Sequence, residues 1–202
     1  MSKPPILAVD VDGVISLFGF DAPPPPATAS WHLIDGTPHC ISLAAGERLR
    51  RLAAFYELAW ATGWQDRAND HLPLVIGIGP LPVIEFDLPP AADVEPAADV
   101  EPVSEESLVM DLQAGRAEGG GESSRASPLA GHWKLDAIGR FAGDRAIAWI
   151  DDALDESCFG WAADREARGL PTLLVPTEPE LGVEEGHVAV LETWAVEVTA
   201  VT

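Results

Sequence analysis

The chain predicts an α/β domain built on a parallel sheet with helices on both faces, and three observations carry that expectation. Four short, nearly uninterrupted apolar runs, residues 6–11, 57–62, 145–150 and 171–176, have the length of strands and no polar face. Helical spacing fills the segments between them. The chain has 202 residues and is 47% hydrophobic, enough for the core of one domain of ordinary size. Strands buried on both faces read as continuous apolar runs, and strands alternating with helices assemble into a covered parallel sheet.

The elements follow in order. "ILAVDV" (6–11) is a short buried strand that ends in an acidic pair, Asp10 and Asp12. "FDAPPPPATASWHLIDGTPHCISL" (20–43) begins with a four-proline turn and continues as two short runs around "DGTP", the signature of a β-hairpin. It reads as a flap over 20–43. "GERLRRLAAFYEL" (46–58) is helical, with Leu49, Leu52, Ala53 and Tyr56 on one face. "ELAWAT" (57–62) is the second strand, and "GWQDRANDHL" after it a short helix. Residues 74–84 offer a third strand around "PVIEF", its start blurred by Gly77, Gly79, Pro80 and Pro82. Helix 127–141, strand 145–150, helix 155–169 and strand 171–176 complete the alternation.

Between them lies 88–127, with the tandem "PAADVEPAADVE" and then "AEGGGESSRAS". Acidic sequence rich in Pro, Ala and Gly buries too little apolar surface to order itself, so this stretch reads as a disordered acidic insertion within a single domain, 1–202. Between Glu85 and Glu122 there are eleven acidic residues and one basic, Arg116, a balance of −10 out of a total of −21. That charge argues against extended nucleic-acid binding and against anionic membrane surfaces. No apolar run reaches membrane-span length, and the start lacks the long apolar segment of a signal peptide. Cys40 and Cys158 match no metal spacing and read as reduced thiols, which points to a cytoplasmic protein. His32, His39, His71, His132 and His187 form no zinc-ligand pattern.

In an open parallel sheet, ligands bind beyond the carboxyl ends of the strands. The first strand ends in Asp10-Val11-Asp12-Gly13, the second in Thr62-Gly63 and the fourth in Asp151-Asp152, while Lys134 lies near the start of the helix before the fourth. Lys134 is notable because the only other lysine is Lys3, the ten remaining basic residues being arginines. A compact ammonium suits a site that needs a point charge. Taken alone, the acidic pair fits a cation or phosphate site and a solvated loop equally well. Trp60 and Trp149 lie within strands and read as core, Trp64 as part of the pocket floor, and Trp31 as a flap residue that packs on its own domain or meets substrate.

In order and spacing, "AVDVDGVI", "LAWATGW", Lys134 and "AWIDDALD" resemble the four motifs of the haloacid dehalogenase (HAD) superfamily. Within it, "WATGWQDRAN", "WIDD" and the ending "PTLLVPTEPELGVEEGHVAVLETWA" are similar to the small HAD domains of "Swiss army knife" RNA-repair proteins. The resemblance implies an HAD-like three-layer Rossmannoid fold with sheet order 3-2-1-4-5, a hairpin flap in place of a folded cap, and an open pocket. It implies Mg²⁺-dependent hydrolysis of phosphomonoesters. Asp10 would be the nucleophile that forms an aspartyl-phosphate, and Asp12 the acid and base. Thr62, the Gly63 N–H and Lys134 would hold the phosphoryl group. Asp10, Asp151, Asp152 and the Asp12 carbonyl would hold the metal. The superfamily's dehalogenases lack a second aspartate at the position of Asp12, which favours a phosphatase. A receiver domain would place its phospho-accepting aspartate after the third strand, where this chain has only "PVIEF". The expected substrate is a phosphorylated small molecule, or alternatively a nucleic-acid end; a non-catalytic binding module is the rival class.

Overall fold

Strand β1 (Ile6–Val9) lies at the centre of a four-stranded parallel sheet in the computed structural model, which describes residues 3–86 and 132–200. It pairs on one side with β5 (Glu57–Trp60) and on the other with β6 (Ile147–Asp151), which in turn pairs with β7 (Thr172–Pro176). Because every pairing is parallel, all four carboxyl ends reach the same edge. Alternate side chains of β1 point to opposite faces, as the period of a strand requires. Leu7 and Val9 join Leu58, Trp60, Ala148 and Ile150 in one core, while Ile6 and Ala8 join Ala59, Ile147 and Trp149 in the other.

Helices cover both faces. Helices α1 (Leu43–Leu52), α2 (Arg67–Ile76) and α5 (Glu185–Ala200) feed Leu49, Leu52, Leu72, Val188 and Leu191 into the first core. Helices α3 (Leu135–Ala142) and α4 (Glu156–Ala167) feed Ala137, Ile138 and Cys158 into the second. Each large apolar side chain buried this way contributes about 1.5–3 kcal/mol. Cys40 and Cys158 are free and buried. Among the described residues, no helix is long and apolar enough to cross a membrane.

Several boundaries move from the sequence reading, each for a local reason. Helix α1 starts at Leu43 because Ser42 caps it, its side chain accepting the Ala45 N–H. Helix α2 starts after Asp66, not at Gly63. Residues 62–66 form turns in which the Gln65 N–H donates to Thr62 O, and Gln65 itself has φ 54°. The same helix runs on to Ile76 and so takes the start of the expected third strand. What remains of "PVIEF" is one parallel bridge, Val83 to Trp60, with the Trp60 N–H donating to Pro82 O at 2.8 Å and the Ile84 N–H to Trp60 O at 2.9 Å. Pro80 and Pro82 have no N–H to extend a ladder. Helix α5 was not foreseen as a helix. The acidic stretch 88–127 and the first residues of the expected helix 127–141 lie outside the described residues.

The expected hairpin forms. Strands β3 (Ala29–Ile34) and β4 (Thr37–Ser42) pair antiparallel around Asp35 and Gly36, both at positive φ, the geometry of a tight two-residue turn. A third strand, β2 (Ser16–Leu17), pairs with Ile41 and Cys40 of β4. Two residues are too short to signal a strand in sequence, yet they fasten the flap to the loop that carries Asp12. Trp31 is partly exposed on the flap, its ring edge-on to Phe20 at 6.1 Å.

Candidate active site

Asp10 follows β1 directly, and its N–H donates to Ile150 O at 3.1 Å. Across the sheet, Asp151 is the last residue of β6 and Asp152 the next in the chain. One carboxylate oxygen from each of Asp10, Asp151 and Asp152 lies within 4.8 Å of the others. Lys134, the residue before α3, sends its ammonium into this group and donates to Asp10 Oδ2 at 2.6 Å and to Asp151 Oδ2 at 2.7 Å. Lys134 is 3% exposed and Asp151 fully buried, so the network is desolvated. The Trp133 ring lies 5.2 Å from the ammonium and lends its π face to the charge.

Other donors orient the carboxylates. The Val11 N–H donates to Asp10 Oδ1 at 2.7 Å, the Trp149 indole N–H to Asp151 Oδ2 at 3.0 Å and the Ala153 N–H to Asp151 Oδ1 at 2.9 Å. Three acids around one ammonium leave negative charge in excess. Burial pushes the Asp10 carboxyl up to about 8, Asp151 adding to the effect and Lys134 opposing it. Burial, then Asp151, pushes Asp152 up to about 6. Desolvation works against the Lys134 charge, but Asp10 and Asp151 outweigh it and hold the ammonium above its ordinary value. These are the properties of a cation site: clustered oxygen donors, convergent and short of positive charge. Oxygen-only donors suit a hard divalent ion such as Mg²⁺ or Ca²⁺.

Asp12 lies apart from this cluster. Its side chain is 49% exposed and turns toward the flap, where Oδ2 accepts the Trp64 indole N–H at 2.8 Å and Oδ1 faces His39 Nδ1 at 3.9 Å. Thr62 and Gly63 reach the same sheet edge, because the last link of the ladder, the Ala61 N–H to Val9 O at 2.8 Å, aligns β5 with β1. Thr62 is buried, and its hydroxyl oxygen accepts the Trp64 N–H at 3.3 Å.

Five further residues shape the site without having been singled out for these roles. Gly13 has φ 68°, and a Cβ there would overlap the Asp152 carboxyl, so only glycine lets that acid close on the loop. The glycine directly after the acidic pair was the available signal. Thr177, just past β7, donates its hydroxyl to Gly13 O at 2.9 Å across 164 positions of sequence. Trp149 is core, as expected, but it also holds Asp151. Trp64 and His39 flank Asp12, which nothing in their spacing announces. Comparison with family models, with curated proteins and with solved structures finds no match.

Proposed function

We propose that the chain is a Mg²⁺-dependent phosphomonoesterase that works through Asp10 on the HAD pattern. One observation carries the reading: Asp10, Asp151 and Asp152 converge at the carboxyl ends of neighbouring parallel strands with the Lys134 ammonium between Asp10 and Asp151. The sheet is compatible with it, since counting the Val83 bridge as a rudimentary edge strand yields the order 3-2-1-4-5.

In the first half-reaction an Asp10 carboxylate oxygen bonds to phosphorus as the bond to the ester oxygen breaks, and Asp12 gives that leaving oxygen its proton. Lys134, the Thr62 hydroxyl and the Gly63 N–H balance the charge on the phosphoryl oxygens. In the second half, Asp12 takes a proton from a water whose oxygen attacks phosphorus. The bond from Asp10 to phosphorus breaks, inorganic phosphate leaves, and both aspartates return to their starting state. Mg²⁺ held by Asp10, Asp151 and Asp152 would supply positive charge that lets an anionic nucleophile meet an anionic substrate. The hairpin flap stands where a folded cap would enclose the substrate, which favours an open pocket.

The test is hydrolysis of an aryl phosphate with and without Mg²⁺. Wild type should turn over only with the metal, and Asp10→Asn should be inactive while melting cooperatively, since an amide of the same shape is a poor nucleophile. Wild-type rates in that variant would overturn the mechanism.

A further inference from the structure

We infer that Trp64 and His39 are positioning residues that fix the Asp12 carboxyl beside the flap, so that the acid meets a leaving group seated on the flap side of the site. The inference rests on the phosphatase reading and concerns what aims Asp12.

A half-exposed aspartate can rotate about its side-chain bonds, and a proton donor that wanders cannot meet one oxygen efficiently. Here both carboxyl oxygens face residues from other elements. Oδ2 accepts the Trp64 indole N–H at 2.8 Å, a good hydrogen-bond distance. That bond fixes the orientation of the carboxyl and turns Oδ1 toward His39. Trp64 is itself held. It is only 7% exposed, and a buried indole N–H needs an acceptor. Its backbone N–H donates to the Thr62 hydroxyl oxygen, which ties the residue that aims the acid to the residue proposed to hold phosphate.

His39 supplies the other wall. Its ring meets the Trp64 ring edge to face at 4.6 Å and 67°. Its Nδ1 is hydrogen bonded to Ser16 Oγ at 3.0 Å, and Ser16 lies on β2, immediately after the loop that carries Asp12. The flap is therefore joined to the end of the loop that carries the acid by a side-chain hydrogen bond as well as by the β2–β4 pairing. This arrangement matters most for esters whose leaving oxygen is strongly basic, because only those need the proton in the transition state. The substrate class it fits is an alkyl phosphate, such as a sugar or nucleoside phosphate.

The experiment compares para-nitrophenyl phosphate, whose leaving group needs little protonation, with an alkyl phosphate such as glycerol phosphate, both with Mg²⁺. Trp64→Phe should lower kcat/KM about 10- to 100-fold for the alkyl ester and less than about 3-fold for the nitrophenyl ester, because kcat/KM reports the first half-reaction, where only the alkyl ester needs the proton, while water activation by Asp12 in the second half is common to both. Adding the same substitution to Asp12→Asn should leave the ratio of the two rates unchanged. His39→Ala reads the same ratio from the flap and decides the matter if Trp64→Phe fails to fold. Equal losses in kcat/KM on both esters, or no loss on either, would overturn the positioning role while leaving the phosphatase reading standing. A wild-type protein inactive on both esters would overturn the phosphatase reading itself.

Discussion

Replacing Lys134 with methionine keeps an unbranched stem and removes the one ammonium among three carboxyls. The lysine is 3% exposed, with contacts of 2.6 Å to Asp10 and 2.7 Å to Asp151. Removing one partner of a buried pair typically costs about 3–5 kcal/mol, because the remaining charge has lost both water and counter-charge. The two acids are not equally exposed to that loss. Asp151 keeps the Trp149 and Ala153 donors, whereas Asp10 keeps only the Val11 N–H. Asp10 therefore escapes by holding a proton. Burial already pushes it up to about 8 in the metal-free protein, and loss of the ammonium pushes it further.

A carboxyl whose folded value exceeds its unfolded value stabilises the fold while it stays protonated and ceases to do so as pH rises through the folded value. Wild type reaches that limit near 8, and the variant continues to lose stability above it. The gap between the two proteins should thus stay small up to about pH 8, where both hold the Asp10 proton, and widen above it by at most about 1.4 kcal/mol per pH unit for one proton, toward the full about 3–5 kcal/mol. The assay is urea unfolding in chelator at both ends of that range. Added Mg²⁺ should stabilise the variant more than wild type, since the site carries one more uncompensated negative charge. A gap below about 1 kcal/mol at the alkaline end, the size of an exposed ion pair, would refute the compensating role of Lys134. So would a gap that ignores pH.

Three further substitutions probe the proposed metal site. Gly13→Ala forces an L side chain to positive φ, about 1–2 kcal/mol, and drives the Asp152 carboxyl away; thermal melting should show the strain and a Mg²⁺ titration a weaker site. Asp151→Asn should raise the Mg²⁺ needed for the half-maximal rate, and Asp152→Asn should have a similar or smaller effect, because Asp151 is fully buried between Lys134 and Trp149 while Asp152 is partly exposed. Unchanged Mg²⁺ dependence in both would remove these acids from the metal site.

Four apolar strands and the acids that end two of them were legible in the amino-acid order, because a fully buried strand and its abrupt polar end are written in a few consecutive residues. The hairpin was legible for the same reason, since Asp35-Gly36 demands a tight turn whatever surrounds it. Element boundaries were less so. Ser42 moved the start of α1 and the run of α2 absorbed residues 74–76, both settled by hydrogen bonds that compete over a turn or less. Helix α5 was missed because burial selects Val188, Leu191 and Ala195 while Val190 and Val196 stay exposed, so its apolar residues mark no single face.

What the site residues do to one another follows from packing between distant segments. Asp10 and Lys134 are 124 positions apart, and their 2.6 Å contact exists because parallel pairing of β1 with β6 brings Asp10 beside Asp151 while α3 delivers the lysine to that edge. The same applies to Trp64 and His39, ordinary aromatic and imidazole side chains in the sequence that meet Asp12 because β5 and the flap flank one loop. Chain-local chemistry selects strands and turns, whereas the aim of a side chain depends on register and packing between segments, which no short stretch of sequence encodes.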